Sequence, residues 1–299
     1  MAAGIGLFLA LIGMVNAGVI VASPATVVSS GGFSANFVLF FVGLVLASTF
    51  LIRKVPGSLI VSIVAVSLLT LPFQQLGWVT DAVFVPTAIV AAPSLSTFFQ
   101  LDLVGVFSVA SIAPVFALLF TDMFDSISTF VGVTKVAGLV DDEGHPKNAG
   151  KALLVDGAST AMSGLFGSSP GTASIESAAG VEEGGRSGLT AVVAGLLFLP
   201  FMFLSPLLGF VPAVAMAPVL VLVGLFMMSV LRDVDWSDYE VVVPSFAALM
   251  AIPFTYSITE GIVFGFLAHV VIMVLNGKAT KISLTLWVIV AFSILMLLL

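Results

Sequence analysis

Four carboxylates stand inside long apolar stretches of this sequence, and that setting limits what they can do. Asp122 and Asp125 lie in Phe120-Thr121-Asp122-Met123-Phe124-Asp125-Ser126, Asp156 in Leu154-Val155-Asp156-Gly157, and Glu176 in Thr172-Ala173-Ser174-Ile175-Glu176-Ser177. A carboxylate buried in hydrocarbon costs at least about 2.5 kcal/mol, so such a group faces a cavity, a ligand or a partner. Asp122 and Asp125 are three residues apart and share a helix face, which Ser126 and Thr129 continue. A polar stripe on an otherwise apolar helix reads as a lining for water or substrate. The competing reading is a hydrogen-bonded seam between bundle helices.

The strongest local signal is Gly167-Ser168-Ser169-Pro170-Gly171-Thr172-Ala173-Ser174-Ile175-Glu176-Ser177-Ala178-Ala179-Gly180. Pro and Gly break a helix here, yet apolar stretches flank the segment on both sides. Irregular backbone at membrane depth is tolerated only where it is buried in protein or lines a cavity. Discontinuous helices with free N-termini are how secondary transporters bind polar substrates near the midplane. Glu176 falls near the start of such a half-helix, as an acceptor and a proton carrier. Glu260, after Pro253, reads as interfacial, and His269, alone in mid-span, as a packed core histidine.

The elements that position these groups are membrane spans. Of 299 residues, 60% are hydrophobic and 8% charged, against about 25% charged in a soluble domain; mean hydropathy is +1.26. A spanning helix needs about 20 apolar residues. Candidate spans are 4–21, 37–52, 58–71, 103–133, 152–166, 189–208, 211–231, 241–256, 258–275 and 282–299. With the interrupted segment as a further crossing there are ten or eleven, in an all-α polytopic architecture. The nine basic residues are Arg53, Lys54, Lys135, Lys147, Lys151, Arg186, Arg232, Lys278 and Lys281. If the interrupted segment is counted as a crossing and the first span runs from inside to outside, all nine fall on the cytoplasmic side, as the positive-inside rule requires. No basic residue precedes Arg53, so residues 1–21 are read as a membrane span and not as a signal peptide.

The absence of cysteine excludes disulfides and thiolate metal sites, and two distant histidines make no metal motif. A net charge of −7 argues against nucleic acid as a partner. The spans 4–21 and 211–231 share a Val/Leu/Gly texture, the weak similarity that an inverted repeat leaves.

The runs Asp122-Met-Phe-Asp125-Ser and Thr172-Ala-Ser-Ile-Glu176-Ser-Ala-Ala-Gly180-Val-Glu-Glu-Gly-Gly-Arg186-Ser-Gly-Leu resemble the AzgA-like purine permeases of the nucleobase–ascorbate (xanthine/uracil) superfamily. The resemblance continues at Ala217-Pro-Val-Leu-Val-Leu-Val-Gly224 and Pro253-Phe-Thr-Tyr-Ser-Ile-Thr-Glu-Gly261. It implies a fold of two inverted repeats of seven segments, with a core domain, a gate domain, and an elevator-like motion coupled to proton symport. Residues 1–102 would be gate segments five to seven, and 103–210 core segments eight to eleven. Residues 211–299 would be gate segments twelve to fourteen and an apolar C-terminal stretch. The sequence begins where the family's fifth segment begins, so a fragment lacking segments one to four is expected, along with a short strand within the broken region 168–185.

Matched residue by residue, the resemblance makes Asp122 and Glu176 the carboxylates that contact the base and couple the proton, with Asp125 a second acid of the same motif. Thr172 and Ser126 belong to the same expected substrate site. The implied cargo is a purine nucleobase (adenine, guanine or hypoxanthine), with H+ as coupling ion, no cofactor, a plasma-membrane location and homodimerisation through the gate. Pro170-Gly171 ahead of Glu176 and Ser126-Ile127-Ser128-Thr129 after Asp125 depart from the family pattern. A xanthine/uracil or inorganic-anion permease of the same fold is therefore the alternative. An intramembrane aspartyl protease would need two aspartates on different helices, one in a Gly-x-Gly-Asp motif that this sequence lacks.

Overall fold

The structure is a computed structural model that describes residues 2–79, 88–143, 145–174, 177–182 and 184–298. Its helices are α1 (Ala2–Asn16), α2 (Ala35–Ile52), α3 (Ser58–Gln75), α4 (Val109–Ala137), α5 (Ala149–Phe166), α6 (Ser177–Glu182), α7 (Gly188–Phe198), α8 (Ala213–Met227), α9 (Tyr239–Thr255), α10 (Ile258–Leu275) and α11 (Leu284–Leu298). Apolar surroundings offer the backbone no water, so these segments satisfy their N–H and C=O groups internally as helices. Among the described residues, five helical stretches are long and apolar enough to cross a membrane: Ala35–Ile52, Ser58–Gln75, Gly188–Phe210, Ala213–Arg232 and Ile258–Leu275. Ala3–Asn16, Tyr239–Thr255 and Leu284–Ile294 are shorter apolar helices. Each of the ten stretches read as spans contains a helix, and α6 lies within the interrupted segment.

The structure departs from the expectations at several places. The helix expected over 4–21 stops at Asn16, because Gly18 adopts φ 68° and closes a left-handed cap. The Val19 N–H donates to the Met14 carbonyl and the Gly18 N–H to that of Val15, both at 2.9 Å. The chain is also not purely helical. Strands β1 (Ile20–Ser23) and β2 (Val27–Ser30) pair antiparallel, with Ile20 opposite Ser30 and Ser23 opposite Val27. The short strand expected in 168–185 falls partly on residues 175, 176 and 183, which lie outside the described residues; the described ones form none. In addition, the expected span 189–208 is α-helical only to Phe198. Beyond it Pro200 and Pro206 each remove a backbone donor, and Leu199–Phe210 winds as a 3-10 helix.

The chain divides into two compact units, one of Gly6–Pro93 and Val192–Met228, the other of Met1–Ile5, Ser94–Ala191 and Ser229–Leu299. In the first, Leu39, Val66, Val79, Val214 and Ala215 form one buried cluster, and Ala17, Phe40 and Ala217 another. A Cβ on Gly6 would stand 2.5 Å from the Gly224 carbonyl, and one on Gly13 2.6 Å from that of Ala217. The two stretches of similar texture thus pack backbone to backbone through their glycines, the close approach that small residues permit between membrane helices.

In the second unit α9 and α10 form an antiparallel hairpin. Pro253 lies in the last turn of α9 and Tyr256 ends it at φ 58°. Ser257 caps α10 by accepting from the Glu260 N–H at 3.2 Å, so Glu260 sits in the first turn, where an acid favours the helix dipole. At the open end Lys278 donates to Glu240 at 2.6 Å and the Asn276 amide donates to it at 2.9 Å. Lys278 holds the Glu240 carboxyl, just ahead of the apolar span 241–256, below its usual range.

Candidate functional site

The site is built on α4 and α5, with α6 and α10 packed against α4. Asp122, Asp125, Ser126 and Thr129 occupy one face of α4, as their spacing requires. Ser126 is 0% and Thr129 5% exposed. Thr121 and Phe124 face elsewhere: the Thr121 and Thr259 hydroxyls are 3.4 Å apart, and Phe124 meets the Phe266 ring at 5.1 Å. Packing on α10 therefore fixes the rotation of α4 and turns Asp122 away from α10.

Asp122 meets α5. Its Oδ2 accepts from the Thr160 hydroxyl at 3.3 Å, while its Oδ1 is buried and has no partner among the described residues. The same holds for Ser126 Oγ, one helical turn further on. On α5, Asp156 and Thr160 are four apart on one face, and Asp156 is 8% exposed. Its Oδ1 accepts from the Ala173 N–H at 3.1 Å. The interrupted segment thus lies against the helix that also meets Asp122. A groove of about 520 Å³ runs along α5 past Val155, Ser159, Met162 and Phe166, and neither Asp156 nor Asp122 lines it.

Of the expected site residues, Asp122 and Ser126 face the interior of this unit and Asp125 is half-buried on the same stripe. Thr172 is exposed, next to the tethered Ala173. Glu176 lies outside the described residues, between Ser174 and the start of α6. Sequence reasoning missed Thr160, and it singled out Asp156 as a buried carboxylate without placing it in the substrate site. Their separation of four on a helix was visible; which helix they would face was not. Asp156 is occupied by Ala173 and Asp122 by Thr160, so these two aspartates are not the directly bonded pair that an aspartyl protease needs.

An unpaired hydroxyl in an apolar interior carries a desolvation cost of about 1–3 kcal/mol. Ser126→Ala removes that hydroxyl with little change of volume. It is expected to leave thermal stability in detergent unchanged or raise it, by up to about 1 kcal/mol. A clear loss of stability would mean that Ser126 has a partner.

These features define a multi-pass membrane protein with polar groups gathered between facing helices. The chain belongs to the permease family named Xan_ur_permease, whose profile matches residues 1–267. It is 42% identical over 286 residues to the adenine permease AdeP of Escherichia coli (strain K12), covering 94% of this chain and 62% of the relative. To the adenine permease AdeQ of the same organism it is 40% identical over 296 residues, covering 96% and 64%. To the guanine/hypoxanthine permease PbuG of Bacillus subtilis (strain 168) it is 36% identical over 285 residues, covering 94% and 63%. The chain thus spans a little under two thirds of the length of these relatives.

Proposed function

We propose that this chain acts in importing purine nucleobases across the cell membrane, with adenine the leading substrate, by proton symport. The observation that carries this reading is the Asp122 carboxylate, held by Thr160 through one oxygen while its buried Oδ1 keeps an acceptor position open. A carboxylate accepts N–H donors along one edge of a planar base, and charge-assisted bonds of this kind are the strong ones. Glu176, in the interrupted segment, is the second acceptor and the proton carrier. The names of the relatives support the substrate class, and the higher identity to the two adenine permeases supports adenine over guanine or hypoxanthine. In this reading residues 103–210 form the core that carries the base and the flanking segments form the gate, with core moving against gate.

The test is uptake of radiolabelled adenine and hypoxanthine by cells deficient in purine transport, comparing this chain with its Glu176→Gln variant after both are shown to reach the membrane. Glutamine keeps the shape and loses the titrating group. The parent's uptake is expected to rise as external pH falls, and the variant's rate to be low and flat with pH. Undiminished pH dependence in Glu176→Gln would remove Glu176 as the coupling group.

A further inference from the structure

We propose that Asp156 is a positioning residue of the candidate site: it holds the backbone of the interrupted segment against α5 and so sets where that segment stands relative to Asp122. The path of the chain brings the segment to Asp156. Gly167, at φ 71°, reverses direction at the end of α5, and the Ser168 N–H donates back to the Ser163 carbonyl at 2.9 Å. The chain then returns along α5. A Cβ on Gly171 would stand 2.5 Å from Ser159 Oγ and 2.6 Å from Ser163 Oγ, so glycine permits the close approach there. Two residues on, the Ala173 N–H reaches Asp156. The contacts therefore step back along α5 from Ser163 through Ser159 to Asp156.

Residues 168–174 have no helix or strand to satisfy their backbone, and Asp156 supplies the side-chain acceptor at the inner end of this return. A backbone N–H with no partner is costly in an apolar body, and so is a buried carboxylate with none. Each answers the other's need. The Ser177 N–H then donates to the Ser174 carbonyl at 3.1 Å as α6 begins, and α6 packs on α4. One turn from Asp156, Thr160 holds Asp122. One face of α5 thereby ties both the segment and the α4 carboxylate.

The proposal rests on reading Asp122 and the interrupted segment as the site, but its test needs no transport, so failure of one is distinguishable from failure of the other. The chain contains no cysteine. Ala173→Cys places one thiol at the half-buried tether, and Ser30→Cys, in a separate chain, places one on exposed β2 as a remote reporter. Labelling by a water-soluble maleimide is measured on the full chain in lipid nanodiscs. Loss of a hydrogen bond to a charged group is expected to open the segment about tenfold or more. Asp156→Ala should accordingly speed labelling at residue 173 by at least about tenfold and leave residue 30 unchanged. Asp156→Asn keeps a side-chain oxygen for the Ala173 N–H and should restore the slow rate. Equal rates at residue 173 in Asp156→Ala and the parent would overturn the proposal. So would acceleration at both reporters, which would make Asp156 a support of the whole fold. An Asn variant as fast as the Ala variant would also overturn it, because the acceptor oxygen would then not be what holds the segment.

Discussion

Asp122→Ala is expected to lower adenine uptake by about 100-fold or more at unchanged surface expression. Hydrogen bonds to a charged group contribute about 1.5–3 kcal/mol each, and about 1.4 kcal/mol corresponds to a factor of ten. Two N–H donors of a base left without their acceptor give the estimate. Asp122→Asn is the informative companion. The amide keeps one acceptor for the Thr160 hydroxyl, which now meets Oδ2 at 3.3 Å, but puts a donor where the second oxygen stood. Uptake in Asp122→Asn should therefore fall nearly as far as in the alanine variant, while thermal stability is preserved. Uptake within a few-fold of the parent in both variants would place the base elsewhere.

The largest expected effect on stability is at Gly261. With Gly265 it forms a small-xxx-small pair on α10 against α9. A Cβ on Gly261 would run into the Ile252 side chain and stand 3.1 Å from the Ala248 carbonyl, and one on Gly265 would stand 2.9 Å from the Ala248 Cβ. Ile252 is fully buried and Ala248 5% exposed, so neither has room to withdraw. Gly261→Leu is expected to cost about 3 kcal/mol by overpacking. It should appear as a lower melting temperature in detergent and a smaller monodisperse fraction by size-exclusion chromatography. Gly195→Ala on α7 is the control. A Cβ there meets nothing within 4 Å, and alanine in a helix interior stabilises by about 0.5–1 kcal/mol relative to glycine. A Gly261→Leu variant as stable as Gly195→Ala would mean that α9 and α10 do not meet through these residues.

Most of the architecture was legible because hydrophobic length and composition are one-dimensional properties. A run such as Ile258–Leu275 needs no knowledge of its neighbours to declare itself a span. The interruption at Gly167–Gly180 was legible for a similar reason, since proline and glycine act on their own backbone. Helix ends were less so. Gly18 lies in an apolar run whose hydropathy continues to Val21, and only its left-handed cap and the β1–β2 pairing showed where α1 stops. The conversion of 199–210 to a 3-10 helix was signalled by Pro200 and Pro206 but masked by unbroken apolarity.

The candidate site divides along the same line. By itself the sequence determined that Asp122, Asp125, Ser126 and Thr129 share a face, because the 3.6-residue period follows from the helix alone. It determined that Asp156 lies in an apolar helix and that Glu176 follows a break. Only the tertiary structure decided which faces meet: Thr160 with Asp122, Asp156 with Ala173, Gly6 with Gly224. Periodicity gives each helix a face but carries no information about its partner. That choice depends on how ridges, glycines and buried polar groups fit together once all the helices are present.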